Sequence, residues 1–326
     1  KEWTENRGIR RLLIQAPPGL KQAALEIAEK ILEKVESVVF YGGSCWGGCD
    51  IAFKAAREAQ ADGILHLGHA KFLNREPIPT YYIECRASDP KPLEMLLEKT
   101  FPLLRKFKRI GVGAVVQWLD FLDLVEKMLR KSGLEVRVEA PVPPLRHRGQ
   151  ILGCSYQPLL KISDIDCFLI IGSKFHGLGL ALQTWKPVYA ADPEAQKIFD
   201  LELEVDRVLR SRYAYIERFR NSRLVGVIAS VKPGQFRMKL ASRFAEMLKE
   251  KGLEAEVILV DDVVAENLRN EPFEGFVNTA CPRLSIEDQN KLDKPLLLPM
   301  EALVAIGEAK WEEVIRTPKY MSMEVF

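Results

Sequence analysis

Apolar residues along this chain fall into short β-branched runs that alternate with longer stretches of helical periodicity, and the whole alternation occurs three times. In the first round Arg11–Gln15 is a compact apolar run closed by Ala16-Pro-Pro-Gly19, a helical pattern covers Leu20 to about Val35, and Ser37–Tyr41 is a second run. A helix from about Ile51 to Ala61 and a third strand at Gly63–Leu67 complete the round. The second round offers a strand at Ile110–Ala114, a helix over Leu119–Lys131, a strand at Leu134–Val138, the apolar stretch Pro158–Ile162 and a strand at Cys167–Ile171. The third has Leu224–Ala229, a helix from about Gln235 to Lys251 stopped by Gly252, then Glu256–Val260 and Gly275–Thr279. Short β-branched runs separated by helices of about ten residues or more predict parallel sheets with helical crossovers. The expected fold class is therefore α/β, with three similar α/β/α domains over residues 1–100, 101–216 and 217–326. Ser, Asp and Pro cluster at Arg86–Pro92, and Ser211–Arg223 is polar and basic, so both read as boundaries. Pro141-Val-Pro-Pro144 reads as a rigid loop inside the second domain.

Parallel sheets bind ligands beyond the carboxyl ends of their strands, so the sequences just past those ends are where chemistry is expected. Cysteines lie there in every round, and three of them, one per round, stand in turns rich in Gly or Pro. Cys49 sits in the loop Gly42-Gly-Ser-Cys-Trp-Gly-Gly-Cys-Asp50, Cys154 follows Arg148-Gly-Gln-Ile-Leu-Gly153, and Cys281 lies in Thr279-Ala-Cys-Pro-Arg283. Cys281 follows the third strand of its round whereas the other two follow the second, so the trio is not in strict register. Three thiolates leave one position open on a tetrahedral zinc ion or on one iron of a 4Fe-4S cluster. Zinc sites favour closely spaced pairs, and here only Cys45 and Cys49 are close, which makes a cluster the better reading. On spacing alone either Cys45 or Cys49 serves as the first ligand. Cys167, at the head of an apolar strand, reads as core, and Cys85 sits after a strand beside Arg86.

Other candidates lie at the same edges. The loop Gly172-Ser-Lys-Phe-His-Gly-Leu-Gly179 offers backbone N–H groups, with Gly172 and Ser173 foremost, to a carboxylate or ribose, and it lacks the GxGxxG order of a dinucleotide site. His69 and His176 follow strand ends and are candidates for acid–base work. Gln15 and Gln235 begin the first helices of rounds one and three. Asp192 follows a short strand and suits a ribose hydroxyl or an ammonium, and Arg283 suits a carboxylate or the charge of a cluster.

Composition narrows the class. The chain has 326 residues, 47% of them hydrophobic, with 47 basic against 45 acidic side chains and a net charge of +2. That balance argues against direct nucleic-acid binding, which calls for a basic domain or stripe. No apolar run approaches the roughly 18 residues of a membrane span, and the N-terminal residues carry no apolar signal-peptide core, so a cytoplasmic protein without membrane contact is expected. Six cysteines in so long a chain are too sparse for a disulfide framework.

The motifs together carry a resemblance. Gly47-Gly-Cys-Asp50 with Leu65-His-Leu-Gly-His69, then Gly149-Gln-Ile-Leu-Gly-Cys154, Ile171-Gly-Ser-Lys-Phe-His-Gly-Leu-Gly-Leu-Ala181, Lys232-Pro-Gly-Gln235 and Ala280-Cys-Pro-Arg283 run in order between about Arg10 and Arg283. They resemble the archaeal diphthamide synthase iron-sulfur subunits, the 2-(3-amino-3-carboxypropyl)histidine synthases. The resemblance implies a homodimer of three-domain chains, each arranged around a central 4Fe-4S cluster held by one cysteine per domain. The matching positions are Cys49, Cys154 and Cys281, which selects Cys49 over Cys45. It further implies noncanonical radical chemistry with S-adenosylmethionine as co-substrate, an electron donor, and transfer of the 3-amino-3-carboxypropyl group to a histidine of elongation factor 2. Contacts to S-adenosylmethionine are then expected from Gln15, Gly172, Ser173, Asp192, Gln235 and Arg283. Two other classes stay open on the sequence: a dehydratase of the quinolinate synthase type, which also carries one cysteine per α/β domain, and a cluster-bearing partner subunit without its own turnover.

Overall fold

Each of the three rounds of apolar runs becomes a sheet, and the strand order is the same every time. The structure, a computed structural model, describes residues 2–325. The first round comprises α1 (Glu2–Asn6), β1 (Arg11–Gln15), α2 (Lys21–Ile31), β2 (Ser37–Phe40), α3 (Phe53–Glu58), β3 (Gly63–Leu67) and β4 (Thr80–Ile83). Its strands lie in the order β2-β1-β3-β4, all parallel. Successive side chains on a strand point to opposite faces. Leu12 and Ile14 of β1 with Leu65 and Leu67 of β3 therefore meet Ala24, Ala28 and Ile31 of α2 on one face. Leu13 and Ile64 meet Phe53 and Ala56 of α3 on the other. Helices on both faces explain why the central strand β3 is buried at every position rather than at alternate ones.

The second round runs through α4 (Lys91–Leu104), β5 (Arg109–Ala114), α5 (Leu122–Lys131), β6 (Glu135–Arg137), α6 (Gln157–Leu160), β7 (Cys167–Ile171), α7 (Lys174–Ala181), β8 (Val188–Asp192), β9 (Lys197–Asp200) and α8 (Glu202–Phe219). The order is β6-β5-β7-β8-β9, with only β9 antiparallel to its neighbour. The helix α4 packs on β8, β9 and α5. The third round is β10 (Leu224–Ser230), α9 (Met238–Glu250), β11 (Glu254–Val260), α10 (Ala265–Asn270), β12 (Gly275–Asn278), β13 (Leu296–Leu297), α11 (Pro299–Ala305) and α12 (Trp311–Val314), with the parallel order β11-β10-β12-β13. The fold is α/β with three similar, parallel-dominated sheets. In each, the order reverses between the first and third strands, which opens a crevice at their carboxyl ends.

Pro158–Ile162 contributes the short helix α6, in the place of the second helix of its round. At one expected boundary the structure differs from the sequence expectation. The polar segment Ser211–Arg223 is the end of α8, which runs unbroken to Phe219 and so passes through position 216/217. Its buried positions Val205, Leu209, Arg212, Ile216 and Phe219 recur at three- and four-residue spacing, and the polar residues that suggested a linker occupy the other face.

By contacts the chain groups into two compact units. One is the chain as far as Arg86 together with Pro143–Arg146 and Lys232–Gly234; the other takes Ala87–Val142, His147–Val231 and the chain from Gln235 onward. Among the described residues no helix is long and apolar enough to cross a membrane.

Candidate metal centre

In the first unit, the loop after β2 is folded by one buried carboxylate. Asp50 Oδ1 pairs with Lys232 Nζ at 2.9 Å, and both side chains are buried. The other oxygen, Oδ2, accepts from Trp46 N at 3.2 Å and Ser44 Oγ at 3.3 Å, while Lys232 Nζ also donates to Ser44 Oγ at 2.8 Å. Gln15, at the end of β1 and fully buried, spans both ends of the loop. Its Nε2 donates to the carbonyl oxygens of Ser44 and Asp50, and its Oε1 accepts from Ala52 N and lies 3.1 Å from His66 Nδ1. The amide of Gln15 is thus engaged within the protein.

Cys49 is clamped between these groups. Gly234 N donates to the Cys49 carbonyl oxygen at 2.8 Å. A side chain at Gly234 would put its Cβ 2.5 Å from Cys49 Cβ and 2.7 Å from Cys49 Cα, so only glycine allows the approach. The strap Lys232–Gly234 therefore holds the cysteine by backbone contact and its loop by charge.

In the second unit, Cys281 acts on the guanidinium of Arg283 and Cys154 on the hydroxyl of Tyr156. Arg283 forms two 3.0 Å hydrogen bonds to Glu287, and its charge lies 3.8 Å from the centre of the Phe175 ring. Burial works against that charge, but Glu287 and then Cys281 outweigh it and hold the Arg283 pKa above its ordinary value. Gly153, next to Cys154, lies under Phe175 and against Arg283, leaving no room for a side chain. Tyr156 is fully buried, donates to the His176 carbonyl oxygen at 2.8 Å, and is pushed well above its usual pKa by burial and then by Cys154. Cys154 is exposed and Cys49 and Cys281 are half-buried, whereas Cys45 and Cys167 are buried and their thiols are pushed up to about 12, mainly by that burial.

The remaining candidates are distributed as follows. Ser173 Oγ lies 2.8 Å from His176 Nδ1 at the entry to α7, next to Gly172. Desolvation lowers His176 to about 4, with Arg283 adding to it, and lowers His69 to about 4, so both rings are neutral near pH 7. Asp192 Oδ1 accepts from Glu194 N and Ala195 N and shapes the β8–β9 turn. Gln235 is buried immediately after the Gly234 strap. Sequence reasoning assigned no role to Asp50, Lys232, Tyr156 or Phe175. Asp50 and Lys232 stand inside the motifs that carried the resemblance, which was the one available signal.

A family profile for diphthamide synthesis proteins matches residues 16–316. The chain belongs to the diphthamide synthesis protein family. Within this family it is 32% identical to the 2-(3-amino-3-carboxypropyl)histidine synthase of Pyrococcus horikoshii, over 96% of this chain and 91% of that protein. Subunit 1 of the human synthase is 25% identical over 93% of this chain and 70% of its own length. The crystal structure of Dph2 from Pyrococcus horikoshii with a 4Fe-4S cluster superimposes with a TM-score of 0.87 at 32% identity, covering 95% of this chain and 89% of that one.

Proposed function

We propose that this chain transfers the 3-amino-3-carboxypropyl group of S-adenosylmethionine to a histidine of elongation factor 2, the first step of diphthamide synthesis, as a cytoplasmic homodimer supplied by an electron donor. The observation that carries the reading is the in-order match of nearly the whole chain to named 2-(3-amino-3-carboxypropyl)histidine synthases. In that reaction the bond between the sulfonium sulfur and the methionine γ-carbon breaks, the aminocarboxypropyl group goes to the histidine, and methylthioadenosine leaves.

Cys49, Cys154 and Cys281 would hold a 4Fe-4S cluster, one from each of the domains proposed over residues 1–100, 101–216 and 217–326. The donor set fits: these three thiols are exposed or half-buried, as is Cys85, whereas Cys45 and Cys167 are buried. When bound, the cluster supplies an electron for reductive cleavage and an iron with an open coordination position.

The chain's own residues prepare that place. The Asp50–Lys232 pair and the Gln15 amide fix the loop, and Gly234 N fixes the carbonyl of Cys49, so the first thiol is presented without a search through loop conformers. Gln15 acts through the loop that it holds. Arg283, kept charged and oriented by Glu287, offsets the negative charge of the Cys281 thiolate. The N–H groups at the entry to α7, beginning at Gly172 and Ser173, face anionic or hydroxyl groups of the co-substrate. Gln235 and Asp192 flank it, and Asp192 keeps one oxygen for the turn that it shapes. His69 and His176, neutral near pH 7, position groups by hydrogen bonds rather than by charge.

Anaerobically reconstituted protein with dithionite, S-adenosylmethionine and elongation factor 2 is expected to give the modified histidine by mass spectrometry and stoichiometric methylthioadenosine. No transfer by cluster-loaded, reduced protein overturns the assignment. Turnover only after a second homologous chain is added reassigns this chain as a supporting subunit.

A further inference from the structure

Two histidines at the mouth of the first sheet converge with a cysteine that the proposed cluster does not use. His66 lies in β3 and His69 just past its end, beside β1, where the strand order reverses. His66 Nε2 and His69 Nδ1 are 3.0 Å apart. Cys45 Sγ completes a trio whose ligand atoms all lie within 4.8 Å of one another, with Cys45 and His66 buried and His69 half-buried.

The hydrogen bonds of Gln15 decide which nitrogen of His66 carries the proton. Because Gln15 Nε2 donates to two backbone carbonyl oxygens and its Oε1 accepts from Ala52 N, the amide has one orientation. Oε1 can only accept, so the His66 Nδ1 that faces it at 3.1 Å carries the hydrogen. His66 Nε2 then presents its lone pair toward His69 and Cys45. A carbonyl behind an imidazole, fixing its tautomer and its aim, is the usual support of a metal-ligating histidine.

We propose that Cys45 Sγ, His66 Nε2 and His69 Nδ1 bind one zinc-class divalent cation, at a site distinct from the three-cysteine centre. Nitrogen ligands at about 2.0–2.1 Å from a tetrahedral zinc stand roughly 3.3 Å apart, and a thiolate at about 2.3 Å stands within about 4 Å of each. The spacing within the trio needs only small adjustments to meet that geometry. One thiolate with two imidazoles suits zinc and not magnesium or calcium, which take oxygen ligands. A direct hydrogen bond from His69 to His66 accounts for the 3.0 Å contact but not for the thiol that joins it. Bound metal ionises the thiol, and three protein ligands leave a fourth position for water or a substrate atom. The site is read from this geometry alone, whether or not the chain carries out the transfer.

The test uses the full chain, prepared anaerobically with its cluster from zinc-supplemented cultures, with elemental analysis and zinc-edge X-ray absorption. About one zinc per chain is expected beyond the iron, with one sulfur and otherwise nitrogen or oxygen ligands. Cys45→Ser and His69→Ala should each lower zinc affinity by at least about tenfold with iron content unchanged. Cys49→Ala should lose iron and keep zinc. Background zinc in the iron-replete wild type overturns the proposal. So does a zinc shell of several sulfurs, or of none, which is read on the wild type and needs no variant to fold. Zinc that survives in the Cys45→Ser/His69→Ala double variant, or leaves with Cys49→Ala, overturns it as well.

Discussion

At the scale of single residues, the cysteines divide by setting, and the division predicts their behaviour. Cys49→Ala, Cys154→Ala and Cys281→Ala should each strip the brown absorbance of the reconstituted protein, whereas Cys45→Ala and Cys167→Ala should keep it. Full iron in the Cys49 variant with loss in the Cys45 variant would reverse the choice between those neighbours. Gly234 makes a sharper case because the atoms nearest to a Cβ added there are the Cβ, Cα and carbonyl oxygen of Cys49. In Gly234→Ala the new methyl displaces the loop and breaks the hydrogen bond to the Cys49 carbonyl, at a cost of about 1–3 kcal/mol. Iron content should fall while the far-ultraviolet spectrum stays that of a folded α/β protein; an unchanged iron stoichiometry would show that the strap does not position the ligand. The sequence made the cysteines visible because thiols just past strand ends are chemically conspicuous. It hid the Asp50–Lys232 pair because the partners stand 182 positions apart, beyond any local pattern. Gln15 was expected to begin a helix, but it ends β1 and turns inward on a loop and a histidine, which is settled by partners 29 to 51 positions away.

Among secondary-structure elements, legibility followed burial. The strands Gly63–Leu67 and Cys167–Ile171 have the bounds that the apolar runs predicted, because helices cover both faces and every position is apolar or buried. The helix α8 escaped because Arg212 is a charged residue at a core position. Its guanidinium donates to both oxygens of Glu301 in α11, at 2.9 and 2.5 Å, and to the carbonyl oxygens of Ser285 and Leu296. Glu301 also accepts from Tyr320 Oη at 2.7 Å and from Leu298 N at 2.8 Å. One ion pair thus ties the helix to the third sheet and to the chain beyond α12. Arg212→Met leaves a carboxylate buried without its cation and should cost roughly 3–5 kcal/mol. Adding Glu301→Met removes that stranded charge, so urea unfolding should find the double variant more stable than the sum of the two single losses predicts, by about 1 kcal/mol or more. Strict additivity would mean that the pair is not what joins these elements.

For the molecule as a whole, the threefold repetition of one strand order was legible, because it is written as three rounds of the same hydrophobic alternation. The grouping by contacts was not, since segments as short as Lys232–Gly234 join a unit far from their place in the chain. A global property that follows from the burial of polar groups is the response to acid. In the folded protein desolvation holds His176 down to about 4, against an ordinary value of 6.5. As pH falls through 6.5, the unfolded chain takes up a proton at this residue and the folded chain does not. Stability therefore rises with pH across this window: the contribution of His176 is complete above about 6.5 and is lost progressively toward 4. Between about pH 7.5 and 5.5 the loss from this one residue is about 1 kcal/mol. Other groups titrate over the same range, but they do so equally in His176→Asn, so the difference between the two proteins isolates the residue. Anaerobic urea titrations at both pH values should show the wild type losing about 1 kcal/mol more than the variant. Equal losses would mean that the ring of His176 is as free to take up a proton in the folded chain as in the unfolded one.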